Sequence, residues 1–317
     1  MPSEMSNPYL AERAAVDTHL HVFEAGYALP GARYTPAYAA TLAAWQAQAA
    51  RVAVTHGVLV QTSFMGADNS LLLAHLAQHP RTLRGVAVVA PDAGLALLAP
   101  LHAQGVRGIR LNLAGQSHDM SAWAAATALW DSVLQLGWHV ELHTDTGALP
   151  GVLAALPHAL PVVVDHFGKP AQASARDATV AALRLRSQRG GSGNADGAAG
   201  VDAEGGAGGA GLAVPAVHVK LSAAYRLSSH LTPSTLARLW LNELGSQALL
   251  WGSDWPCTNH ELMADYPALH AALDDWLDGN AQVCDTVRSA NPLRLYWGLE
   301  RGSSSFARPP MTRPCIG

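Results

Sequence analysis

Asp17-Thr18-His19-Leu20-His21 closes a short apolar run near the start of the chain. Side chains on a β-strand alternate between faces, so histidines at i and i+2 project from the same side. Both imidazoles can then reach one point, and neutral imidazole is the commonest metal-ligating side chain. A His-x-His pair alone is a weak signal. Three later strand-like runs also end in His or Asp: His-Val-Glu-Leu-His143-Thr-Asp, Pro-Val-Val-Val-Asp-His166-Phe-Gly and Leu-Leu-Trp-Gly-Ser-Asp254-Trp-Pro. A carboxylate among converging imidazoles is suited to activating water, as a general base or beside a divalent ion.

The elements that must position these groups follow from periodicity. Short apolar or β-branched runs bounded by turn signals predict eight strands, at 14–23, 56–64, 83–90, 106–113, 139–145, 161–168, 217–225 and 248–256. Ala/Leu-rich segments of helical spacing lie between them, among them 37–54, 68–79, 120–136 and 232–243. Strict alternation implies parallel strands with right-handed crossovers, and eight units favour a closed (β/α)8 TIM barrel over an open sheet. The open doubly wound sheet is the competitor, but no Gly-rich phosphate loop follows the first strand.

In such a barrel the C-terminal strand ends line one mouth, where active sites form. His19 and His21 end strand one, Gln61 and Ser63 strand two, and Arg110 and Asn112 strand four. His143 ends strand five, His166 strand six and Asp254 strand eight, with Tyr225 and Arg226 just after strand seven. His139 opens strand five at the opposite end and reads as structural, and Tyr34 lies in the loop after strand one.

Bulk properties set the remaining limits. The 317 residues are 49% hydrophobic and 14% charged, enough for a large core in one barrel domain over 1–301. A net charge of -4 without basic clusters argues against nucleic-acid binding. No apolar stretch is long enough for a membrane span, no secretory pattern opens the chain, and three scattered cysteines suit a reducing cytoplasm. The Gly/Ala-rich tract 189–213 is expected to be a mobile loop, and 302–317 a flexible tail.

The ordered motifs resemble the amidohydrolase superfamily. They are most similar to the branch holding 2-pyrone-4,6-dicarboxylate lactonase and related sulfomuconolactone and sugar lactone hydrolases. The likeness spans roughly 14–298 and includes Arg33-Tyr34-Thr35-Pro36, Gly66-Ala67-Asp68-Asn69, Gly105-Val106-Arg107-Gly108-Ile109-Arg110 and Gly137-Trp138-His139-Val140. It implies hydrolysis of an ester-like bond, in the lactone of a small carboxylated ring. On that reading Asp254 is the base for water, and His166 or a metal polarises the carbonyl. Arg110, Arg226, Tyr34, Ser63 and Gln61 contact substrate, the guanidinium groups gripping carboxylate.

Two departures from the pyrone enzyme matter. Leu113-Ala114-Gly115-Gln116-Ser117-His118 lacks the basic residues expected after strand four, so His118 replaces an anionic anchor or the anchor is lost. His143 stands where that enzyme has Tyr, and metal-dependent members of the superfamily use a third histidine there. The resemblance therefore implies one divalent ion on His19, His21, His143 and Asp254, zinc by ligand softness, with a metal-independent route as the alternative. Competing functions are a zinc-dependent non-oxidative decarboxylase, a sugar lactonase, or a barrel that only binds ligand.

Overall fold

The apolar runs fold as short strands because both their faces are covered, as parallel sheets require. The computed structural model describes residues 14–32, 34–192 and 214–299. Its strands are β1 (Ala15–Leu20), β2 (Val54–Val60), β3 (Leu83–Ala87), β4 (Val106–Asn112), β5 (His139–His143), β6 (Val162–Val164), β7 (Val217–Leu221) and β8 (Leu249–Trp251). They form one parallel sheet in the order β1 to β8. The seam between β8 and β1 is joined by a parallel bridge between Leu20 and Trp255, with Asp254 N donating to His19 O and His21 N to Trp255 O, both at 2.8 Å. The result is the expected (β/α)8 barrel.

Ten α-helices are described around it: α1 (Leu42–Ala50), α2 (Ser70–Gln78), α3 (Leu95–Ala103), α4 (Ser121–Ala124), α5 (Thr127–Gln135), α6 (Leu149–Ala154), α7 (Ala178–Ser192), α8 (Pro233–Leu244), α9 (Tyr266–Trp276) and α10 (Ala281–Asp285). Side-chain caps start several of them, with Thr41, Thr232 and Asp265 accepting from Ala44 N, Thr235 N and Ala268 N. Helix α7 runs to Ser192, so residues 189–192 of the Gly/Ala-rich tract are helical where a loop is expected. The rest of that tract and the 302–317 tail lie outside the described residues.

Strand alternation divides the core. Leu20, Leu59, Ile109, Leu142, Val164 and Leu221 pack outward with Trp45, Trp130 and Trp240 from the helices. Val16, Val58, Val60, Val86, Val163 and Leu250 form a second cluster, joined by Leu293 and Tyr296 from near the C-terminal end of the described chain. Several strands end short of the apolar runs that predict them, and at β6 and β8 the chain leaves the ladder before His166 and Asp254. His166 and Asp254 sit in turns at φ 52° and 58°, a left-handed conformation that costs a non-glycine residue about 1 kcal/mol or more. At the first turn, Trp240 of α8 donates to Phe167 O at 2.9 Å and pins the backbone.

Candidate active site

A bulge in β1 decides which side chains face the mouth. The register against β2 shifts between Asp17 and Leu20, so simple alternation is interrupted. Asp17 turns outward, where its carboxylate accepts from His19 N, Ser253 N, Ser253 Oγ, Trp45 Nε1 and Tyr266 OH at 2.6–3.1 Å. This buried group ties β1, α1 and α9 to the turn that carries Asp254. His19 and His21 then point inward together. Their Nε2 atoms each lie 3.4 Å from Asp254 Oδ1.

The two oxygens of Asp254 have different partners. Oδ2 accepts from Tyr225 OH at 2.6 Å and Arg226 Nε at 2.9 Å, leaving Oδ1 turned to the histidines. Burial alone would raise this carboxyl, but His166, Arg226 and His21 overcome it and hold the group well below the usual carboxylate range. Asp254 is therefore ionised at neutral pH.

Beneath His19 lies a layer of charge that sequence reasoning missed. Lys220 Nζ meets Glu141 Oε2 at 2.5 Å and His19 Nδ1 at 3.1 Å, and Asp165 Oδ1 is 3.2 Å from the same nitrogen. Arg110 donates to Asp165 Oδ2 through Nε and Nη2 at 3.2 and 2.9 Å. Burial and the charge of Asp165 push Glu141 up to about 8, against the pull of Lys220 and Arg110. Asp165 goes the other way, because His19, Arg110 and Lys220 outweigh its burial and hold it low. The signal available in the sequence was period-two spacing: Glu141 lies midway between His139 and His143, and Lys220 two residues before Ser222.

A cavity of about 230 Å³ opens above this layer. His21, His166 and Asp254 line it with Arg110, Arg226, His143, Tyr34 and Ser63, so most of the expected residues converge. Burial brings the His166 imidazole down to about 3, so it is neutral, and its Nδ1 is 3.0 Å from Ser222 Oγ. Gln61 does not join the lining; its amide donates to Gly66 O and Asp68 O and shapes the loop after β2. His118 also stands aside, accepting from Asp145 N at 3.3 Å.

His143 reaches the cavity in an unexpected setting. Its Nδ1 is 3.5 Å from Arg110 Nη2 and its Nε2 3.3 Å from Lys169 Nζ. Burial first, then His166 and Arg110, keep the ring neutral. It belongs to neither of the two groups of described residues whose donor atoms converge within 4.8 Å, namely His19 with His21 and Asp254, and His19 with Asp165 and His166. Lys169, three residues after His166, is a half-buried cation beside this edge of the site that sequence reasoning also missed.

The first of those groups suits a divalent cation. His19 Nε2 is buried without a hydrogen-bond partner, and His21 Nδ1 is committed to Val60 O at 2.8 Å, which frees Nε2. A backbone carbonyl on the far nitrogen is how metal-ligating histidines are commonly oriented.

A parallel eight-stranded barrel with two imidazoles and a carboxylate at one mouth, able to hold a metal ion, defines a water-activating class of site. The chain belongs to the amidohydrolase family, whose model matches residues 16–193. It is 30% identical to the 2-pyrone-4,6-dicarboxylate hydrolase of Comamonas testosteroni over 307 residues, covering 90% of this chain and 91% of that one. With the 4-sulfomuconolactone hydrolase of Rhizobium radiobacter the identity is 28%, over 77% and 76% of the two chains. A solved Pseudomonas putida structure, provisionally named a 2-pyrone-4,6-dicarboxylic acid hydrolase, superposes with a TM-score of 0.74 at 32% identity, covering 90% of this chain and 98% of its own.

Proposed function

We propose that the protein opens the lactone ring of a small carboxylated substrate of the pyrone-dicarboxylate or muconolactone kind. The observation that carries this reading is the division of Asp254, a residue of the cavity lining: one oxygen is fixed by Tyr225 and Arg226, and the other faces His19 and His21. The names of the relatives support the same chemistry. Asp254 Oδ1 takes a proton from the attacking water, whose oxygen bonds to the lactone carbonyl carbon. The carbonyl oxygen becomes anionic and is met by His166. With the Ser222 hydroxyl assigned as donor to His166 Nδ1, the Nε2–H is the group that bonds the oxyanion. Collapse breaks the bond to the ring oxygen, and Asp254 returns its proton there.

His19, His21 and Asp254 would hold a divalent ion, zinc on this nitrogen-rich set, and when bound it supplies Lewis-acid charge for the carbonyl oxygen. Arg110 and Arg226 orient substrate carboxylate through donors not used by Asp165 and Asp254, and Lys169 adds positive charge beside His143. Among the described residues no helix is long and apolar enough to cross a membrane. Cys257 and Cys284 are buried free thiols, in keeping with a reducing, cytoplasmic setting.

The test follows the absorbance of 2-pyrone-4,6-dicarboxylate, and of sulfonated and monocarboxylated lactones, with chelated and zinc-supplemented enzyme. Ring opening that is lost with chelator and restored by zinc is expected. Opening that survives chelation removes the ion from the reading, and failure to open any carboxylated or sulfonated lactone overturns it.

A further inference from the structure

Glu261 lies outside every motif that points to the site, yet it bridges two walls of the cavity. Its Oε1 accepts from Tyr38 OH at 2.8 Å, Tyr34 OH at 3.2 Å and Asn259 N at 2.9 Å. Tyr34 and Tyr38 belong to the loop after β1, which follows His21, whereas Asn259 and Glu261 belong to the loop after β8, which follows Asp254. The contact therefore spans the barrel seam, where β1 and β8 share only a short bridge. Tyr34 and Asn259 both line the cavity. Tyr34 leans on Phe64 at 6.1 Å between ring centroids, and Tyr38 on Phe23 at 5.4 Å. Asn259 has φ 66°, a conformation that an unsupported asparagine adopts only part of the time, and Glu261 fixes its amide.

We propose that Glu261 is a positioning residue: it clamps the loops after β1 and β8 together and fixes the Tyr34 hydroxyl at the mouth, setting how tightly substrate is held. With its hydroxyl held by the carboxylate, the Tyr34 ring keeps one place against Phe64 and so shapes the mouth that the substrate enters. Glu261 is exposed at the rim and hydrogen-bonds to neither Asp254 nor His166, so the clamp acts on ground state and transition state alike. Such uniform binding changes KM and leaves kcat nearly untouched.

The kinetic arm of the test rests on the lactonase reading. Glu261→Ala and Tyr34→Phe should each raise KM about tenfold, with kcat within about threefold, as expected for loss of one rim hydrogen bond to a charged group. Glu261→Gln, which keeps an acceptor oxygen, should fall between wild type and Glu261→Ala. The double variant should be no more than about twofold worse than the poorer single variant, because both changes remove the same contact. Multiplicative effects, or a loss in kcat equal to the rise in KM, overturn the proposal. The second arm needs no substrate. Amide hydrogen exchange in 26–40 and 257–264 should accelerate in Glu261→Ala, and unchanged exchange overturns the clamp whatever the kinetics. If wild-type enzyme opens no lactone, the functional reading fails and exchange alone decides the clamp.

Discussion

Replacing Asp254 by asparagine keeps the side-chain shape and removes the charge on which both chemistry and local structure depend. An amide oxygen turned towards Tyr225 and Arg226 preserves the 2.6 and 2.9 Å contacts but sets the NH2 group against the imidazoles of His19 and His21. That group cannot take a proton from water. A positioned base contributes about 10²–10⁴ in rate, and with the carboxylate charge also lost kcat should fall about 10³-fold. The structural cost is separate. Breaking a buried ion pair costs about 3–5 kcal/mol, but Arg226 is 20% exposed and keeps Thr258 O at 2.9 Å, so about 2 kcal/mol is expected.

The pH dependence has a defined sign. Burial opposes ionisation of Asp254, yet His166 and Arg226 leave its carboxyl depressed in the folded state. A depressed acid stabilises the fold above its unfolded value, near 4, and that contribution is lost as pH falls through the folded value. The stability deficit of Asp254→Asn should thus be full at pH 7 and shrink below about pH 4. Urea midpoints of both proteins at pH 7 and in acid, alongside kcat on a lactone that the wild type opens, measure both effects. A kcat within tenfold of wild type refutes the base, and a deficit absent at pH 7 or growing in acid refutes the ion pair.

Arg226→Met should lower kcat as well as raise KM, by about tenfold in KM, because the side chain both holds Asp254 and faces the cavity. The acid limb of the kcat profile should move to higher pH, since one of the groups that depress Asp254 is gone; an unmoved limb argues against this coupling. Gly252→Ala would place a Cβ 2.6 Å from His19 Cβ and 3.0 Å from its backbone nitrogen, a clash that no flexible side chain can relieve. Overpacking of this kind costs about 1–3 kcal/mol, so a lower Tm and weaker binding of an added divalent ion in calorimetry are expected, and a wild-type Tm contradicts the geometry.

The eight strands and the gathering of His19, His21, His166 and Asp254 at one mouth were legible because they rest on local regularities. Apolar runs alternating with helical segments determine a parallel barrel, and chain order places each strand end at one mouth. Even Arg110, Tyr34 and Ser63 reach the cavity that the sequence assigns to them. Gln61 does not, because whether its amide serves substrate or backbone depends on how the loop at 66–68 folds back.

Local sequence pattern thus specifies the scaffold and the types of group delivered to its mouth. Which groups pair depends on contacts between remote parts of the chain. The β1 bulge turns Asp17 out of the row to which alternation would assign it, and barrel closure sets Arg110 on Asp165 and Arg226 on Asp254. It also wedges His143 between two cations and brings Glu261 to Tyr34 across 227 positions of chain. Strand and helix periods act over a few residues, whereas burial, ion pairing and tautomer choice depend on ångström-scale distances between groups remote in sequence. Those distances exist only once the barrel has closed.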